Sequence, residues 1–301
     1  MNNLSCIPFY KTQAEQDFRL WYAYGDKFPN YVPGDYLVPF FIPFKFGTLY
    51  SDVKVDFYKA CCSEEQYWVS RGSYNSAFSY AFAKDNTDFG SIMKSNGLVV
   101  KLDEASNSAI IAYYAREDES LNLDEGMYYM VVSLVDGRGR VTAKFYSDVF
   151  VVKPAEYLSR KVMIEWSNKD TLFFEGGFIP YGDIEGGESF KNRLYLDTTI
   201  GMPEYKFTED GEERNGRFFP IKQISEKVYK MSFYAPEYLC DVMRLIRMAD
   251  YITIKDDLGR TYDVEQFEME VNWSQGGHYA EVACSFQTNT VVKKIGKAYN
   301  I

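Results

Sequence analysis

The chain has 301 residues, 18% of them aromatic, and a formal net charge of −10. The length suits about two domains, and the charge repels phosphate backbones, which excludes bulk nucleic-acid binding. No run approaches the ~18 apolar residues of a membrane span, and the opening MNNLSCIPFYKTQAEQDF lacks the basic and apolar regions of a secretory leader.

The 26 Tyr and 23 Phe favour strands, whose pleated surface accommodates rings, and contact surfaces, where Tyr brings rigid area and a hydroxyl that tolerates water. Residues 1–35 read as an extended aromatic arm. Phe18, Trp21, Tyr22 and Tyr24 crowd a stretch punctuated by Gly25, Pro29, Pro33 and Gly34, where regular structure is hard to sustain. Such rings are costly to leave in water, so the arm is expected to lie against its own domain or a neighbouring chain.

Residues 36–153 read as a β-sandwich (Ig-like) domain. YLVPFFIPF is apolar but broken by Pro39 and Pro43, which suits an edge strand. SDVKVDFYKAC alternates Val53, Val55 and Phe57 against Asp52, Lys54, Asp56 and Tyr58, the pattern of a half-buried strand. GLVVKLDEAS and SAIIAYYAR add strands, and EGMYYMVVSLVDGRGRVTAKFYSDVFVV reads as a hairpin turning at Asp136-Gly137 and Gly139, then a third strand.

Residues 154–301 read as a second β-rich domain with a C-terminal tail. KVMIEWSN and FKNRLYLDTTI are strands, TEDGEERNGRF a polar hairpin tip and KVYKMSFYA a return strand. A helix is predicted over 236–249, with Pro236 at its first position and Leu239, Val242, Met243 and Ile246 forming one apolar stripe; Asp241 and Arg244 are spaced to pair. Two hairpins follow, the second alternating Phe267, Met269, Val271 and Trp273 with Glu268, Glu270 and Asn272. The fold class expected is mainly β: two β-sandwich-like domains, one amphipathic helix in the second, and an extended N-terminal arm.

Chemistry finds little to hold on to. The one histidine, His278, follows Gly276-Gly277 at a hairpin turn without a nucleophile signature. Cys6, Cys61, Cys62, Cys240 and Cys284 form no C-x-x-C or Cys/His array, so they read as free thiols rather than zinc ligands. Gly176–Gly187 is not followed by G-K-[ST] or a helix, so it reads as a loop or bulge and not a phosphate cradle. Arg116–Gly126 spaces acids like a calcium loop but has Leu123 and Tyr129 where glycine and the closing glutamate belong. No catalytic, cofactor-binding or metal residue is assigned. In SFKNRLYLDTTIGMPEY, Arg193, Asp197 and Glu204 could grip a ligand, but their alternation with Leu194 and Leu196 reads as a wet strand face or an interface.

The stretches IPFYKTQAEQDFRLWYAYG, DEGMYYMVVSL, FYSDVFVV, FKNRLYLDTTIGMPEYKFTEDGEERNGRFFPIKQISEKVYKMSFYAPEYLCDVMRLIRMADYITI and SFQTNTVVKKIG together resemble β-rich virion or tail proteins of bacteriophages and prophages of Bacteroidetes, including crAss-like phages. The resemblance implies a structural component of the tail, neck or baseplate, made in a bacterial cytoplasm and carried in the virion as an oligomeric ring or collar. It implies no cofactor and no catalysis. Its partners would be copies of itself and other virion proteins such as portal, tail or ring proteins, with neither nucleic acid nor membrane. Phe18, Trp21, Tyr22, Tyr24, Arg193, Tyr195, Tyr205 and Tyr299 are the interface residues expected. The alternatives are a module binding glycans on a host surface and a capsule depolymerase using paired carboxylates.

Overall fold

The computed structural model describes residues 5–12, 30–34, 40–45, 52–59, 76–83, 93–95, 98–103, 108–113, 123–170, 172–174, 177–179, 191–274, 279–288 and 292–295. The protein is mainly β, with two β-sandwich-like domains. The first contains strands β1 (Phe9–Tyr10), β2 (Asn30–Pro33), β3 (Phe41–Lys45), β4 (Asp52–Lys59), β5 (Ser76–Ala83), β6 (Met93–Ser95), β7 (Leu98–Asp103), β8 (Ser108–Tyr113), β9 (Gly126–Val135), β10 (Val141–Ser147) and β11 (Phe150–Lys153).

Strand β9 organises this domain. It pairs with β4 along one edge and with β10 and β11 along the other. Its MVVSL run, Met130–Leu134, is buried on both faces, as a nearly continuous apolar strand should be. Phe57, Met130, Val132, Leu134 and Phe145 share one face, all buried. A second sheet, in the order β3-β8-β7-β6, forms the other layer. Phe9 on the first sheet meets Phe40, beside β3, with ring centroids 4.7 Å apart. Pro43 does sit on a strand at the edge of its sheet among the described residues, the place in a sheet that tolerates proline best. The expectation for β4 needs correction. Asp56, on its supposedly wet face, is buried, and so are Val131 opposite it and Ser133 on the same face of β9, so this face of the sheet is covered as well.

The described parts of the N-terminal arm are extended and lie on the first domain. β1 pairs with β10, and β2 runs parallel to β11, at opposite edges of the same sheet. Ser5, Cys6, Ile7 and Val32 are buried there.

After a one-turn helix, Ala155–Leu158, come β12 (Val162–Ser167), β13 (Leu172–Phe174), β14 (Gly177–Ile179), β15 (Asn192–Leu196), β16 (Glu204–Arg214), β17 (Arg217–Pro236), β18 (Tyr251–Lys255), β19 (Thr261–Trp273), β20 (Tyr279–Thr288) and β21 (Val292–Ile295). The large sheet runs β15-β12-β18-β19-β20-β17-β16, with β21 beside β17. Its inner face carries Val162, Ile164, Leu194, Leu196, Ile254, Phe267, Val282, Phe286, Met231 and Phe233, all buried. Burial fades along β19, and Trp273 at its end is exposed.

The expected helix is shorter than its stripe suggested. It spans Glu237–Met243 and continues as a 3-10 turn, Ile246–Met248. Pro236 precedes it as the N-cap, because the same residue still pairs with Tyr279 as the last of β17. Leu239, Val242, Met243 and Ile246 are all buried against the sheet, and Asp241 and Arg244 pair at 3.7 Å.

Candidate assembly surface

The stretch from Ser189 to Tyr205 raised the sharpest question in the sequence, and from Lys191 onward the structure describes it. Arg193 stands opposite Glu165 in the β12–β15 ladder. Its Nε donates to Glu165 Oε2 at 2.5 Å, and Lys191 Nζ reaches Oε1 at 3.2 Å. Two cations on one half-buried carboxylate form an internal clamp that leaves Glu165 well neutralised. Tyr195 lies two residues on, half-buried on the same face.

Asp197 accepts from Lys161, whose ammonium also sits 5.2 Å from the ring centre of Tyr31 and 4.9 Å from that of Tyr157. The two tyrosine hydroxyls are 3.2 Å apart. Burial, then Tyr157 and Asp197, push the Tyr31 hydroxyl far above the ordinary tyrosine range, so it stays protonated. One residue back along β2, Asn30 Nδ2 donates to Tyr238 Oη at 3.2 Å. Tyr31 and Asn30 belong to the first sheet; Tyr157, Lys161, Asp197 and Tyr238 follow its last strand. This cluster is a contact between the two domains.

Beyond Asp197 the chain turns back along β17. Thr198 Oγ1 donates to the Ser232 carbonyl at 2.7 Å, and the Gly201 N–H to the Lys230 carbonyl at 2.9 Å. These bonds lead from β15 to β16, which are opposite ends of the ladder order. Arg193 and Tyr195 therefore lie on one sheet edge and Tyr205 on the other, although only nine residues separate Tyr195 from the start of β16. The stretch is a strap for its own chain. Phe18, Trp21, Tyr22, Tyr24 and Tyr299 lie outside the described residues, as do His278, Cys61, Cys62 and residues 116–122 of the acidic loop.

At Tyr205 the surface changes character. β16 and the first part of β17 form a long hairpin in which residues 204–213 and 215–222 are all exposed. The hairpin expected to turn within TEDGEERNGRF does so, with a tighter turn and longer strands than the sequence suggested. The strands continue to Arg214 and from Arg217, and the reversal is made by Asn215 and Gly216 alone, at φ 51° and 71°. Asn-Gly is the favoured pair for such a two-residue turn, since both positions need positive φ. That dipeptide was the signal that could have revealed the arm. On it stand Tyr205, 60% exposed, Phe207, 73%, and Phe218, 54%, with Phe219 and Ile221 also exposed. Lys227 lies over the Tyr205 ring at 5.8 Å, and Glu204 pairs with Lys230 at 2.7 Å. A two-stranded ribbon wet on both faces is marginal by itself. Large side chains held out on one are the mark of a contact surface.

Burial pushes the thiols of Cys6 and Cys284 up to about 12 and that of Cys240 to about 11, which keeps all three protonated at neutral pH and unsuited to nucleophilic attack. Among the described residues no three His, Cys, Asp or Glu side chains gather to hold a metal ion. No protein-family model and no curated protein matches the chain.

Proposed function

We propose that the protein is a structural component of a bacteriophage virion, part of the tail, neck or baseplate, acting by cohesion between chains and without catalysis. The observation that carries this reading is the β16–β17 arm, an exposed ribbon bearing Tyr205, Phe207, Phe218, Phe219 and Ile221. A soluble monomer gains nothing from holding these groups in water, whereas a neighbour that covers them recovers about 25 cal/mol per Å² of apolar area. The resemblance to phage virion proteins and the acidic surface agree with it. Copies of the chain would form a ring or collar beside portal, tail or ring proteins. Purified particles should contain the chain in a fixed multiple copy number, read by quantitative mass spectrometry and particle reconstruction. Particles complete without it would sink the proposal.

A glycan-binding module is the competing reading. It rests on exposed Tyr234, aligned across β17, β20 and β19 with Glu281 and Asn272. Binding of surface glycans that Tyr234→Ala abolishes would favour it over cohesion.

A further inference from the structure

We infer that the edge of β16 away from β17 pairs with the same edge of a second copy of this chain, across a two-fold axis centred on Glu209. The inference rests on the cohesive reading above and gives it a partner and a register. Among the described residues β16 has a ladder neighbour on one side only, β17, and an exposed edge of this length is a template for strand addition.

Opposed residues of an antiparallel pair share a face. A two-fold contact therefore sets each residue of β16 against the one equally far on the other side of the central residue. Glu209 is the midpoint of the 11-residue strand, so this register overlaps the strand completely. It also sets Glu204 opposite Arg214 and Lys206 opposite Glu212, each pair occurring twice. The two adjacent registers are poorer. A centre at Thr208 opposes Glu204 to Glu212, which offsets its one favourable pair, Lys206 with Asp210, and a centre at Asp210 opposes Lys206 to Arg214. Opposite charges across strands stabilise and like charges destabilise.

The other face fits as well. Phe207 falls opposite Gly211 of the second copy. A Cβ on Gly211 would come within 2.7 Å of the Phe218 ring and 2.4 Å of the Phe219 carbonyl, so Phe218 already lies over that glycine. The incoming Phe207 would meet Phe218 where no side chain intervenes. At the axis two Glu209 residues face each other, but each Oε1 accepts from Gln223 Nε2 at 2.6 Å, which draws the carboxylate back over its own hairpin.

Single cysteines test the register in the full-length chain with Cys61→Ser and Cys62→Ser. Opposed Cα atoms about 4.5–5.5 Å apart lie within disulfide reach. Under mild oxidation Glu209→Cys should form covalent dimers, at least ~5-fold more than Thr208→Cys or Asp210→Cys, because only the axial residue meets itself. Independently, Lys206→Glu should weaken dimerisation about tenfold in analytical ultracentrifugation, and Glu212→Lys in the same chain should restore it. A cross-linking maximum elsewhere, or no rescue by the swap, overturns the inference. If the chain still builds higher assemblies without cross-linking at 209, the two-fold contact is wrong and the virion reading stands. If the chain is also absent from particles, both fall.

Discussion

Two turns in different domains share the spacing D-x-x-G-R. One, Asp136–Arg140, joins β9 to β10; the other, Asp256–Arg260, joins β18 to β19. Their bonding is the same atom for atom. In the first, Asp136 Oδ1 accepts from the N–H of Arg138 at 2.9 Å and of Arg140 at 2.8 Å, and Oδ2 from Arg140 Nε at 2.9 Å. In the second, Asp256 Oδ1 accepts from Leu258 at 3.0 Å and Arg260 at 2.7 Å, and Oδ2 from Arg260 Nε at 2.6 Å. Gly139 and Gly259 take φ 77° and 79°. The surroundings differ. The Asp136 side chain is 12% exposed and that of Asp256 0%. Asp256 also accepts from the hydroxyl of Tyr262 at 3.1 Å, and Tyr262 stacks into the core with Tyr229 and Phe286 at centroid distances of 4.8 and 5.7 Å. A local motif sets the shape of a turn; the packing behind it sets how much the turn matters to the fold.

Breaking the two carboxylates should expose that difference most strongly. Asp256→Ala leaves buried donors without an acceptor and should cost about 2–4 kcal/mol in denaturant unfolding. Asp136→Ala, whose donors can turn to water, should cost clearly less in the same measurement. Equal losses would mean that the Tyr262 anchor is irrelevant.

Acid should weaken both turns. Burial by itself would raise the Asp256 carboxyl, but the Arg260 N–H, the Arg260 guanidinium and the Tyr262 hydroxyl together hold it below the ordinary range. For Asp136 the Arg140 N–H is the largest cause of a lowering in the same direction. A carboxyl depressed in the folded state stabilises fully above its unfolded pKa of about 3.9, and that stability is lost as pH falls through the lower folded value. The acid limb of the stability curve, measured by unfolding between neutral pH and pH 2, should flatten in both Asp256→Ala and Asp136→Ala, since both carboxyls are lowered in the fold.

Two smaller changes sharpen the comparison. Tyr262→Phe removes the one bond that the first turn lacks and should cost about 1 kcal/mol, with the Tyr262 hydroxyl, now pushed up to about 12 mainly by burial and then by Asp256, lost from the high-pH titration. Gly139→Ala and Gly259→Ala should cost alike, about 1 kcal/mol each, because an added Cβ meets nothing within 4 Å at either site and only the positive φ opposes it. Unequal glycine costs, read by thermal melting of the pair, would show that packing reaches the backbone of the turn as well.

Local pattern carried much of the fold. Alternation located β4, β15, β19 and β20, and the apolar stripe located the helix, because each pattern is written within one element. It misjudged Asp56, since alternation reports one buried face and cannot tell that the other face, with Val131 and Ser133 of β9, is covered too. It also took the arm for a polar tip. Glu209, Asp210, Glu212 and Glu213 dominate that segment, and the exposure of Phe207 and Phe218 is a property of where the ribbon ends up. Arg193 was legible as a charged residue on a strand face, but its partner Glu165 lies 28 positions earlier, a separation no short-range pattern bridges.

The sequence by itself determined the β-rich class, the turns at Gly139 and Gly259, and the acidic character of the surface. These follow from φ preference, side-chain alternation and summed charge, all of which act over a few residues or none. Only the tertiary structure decided that the strap after β15 serves its own chain, that one D-x-x-G-R turn is anchored in the core, and that an aromatic arm stands free of it. Those outcomes depend on which distant strands become neighbours, because burial and hydrogen-bond partners are set by packing between segments far apart along the chain.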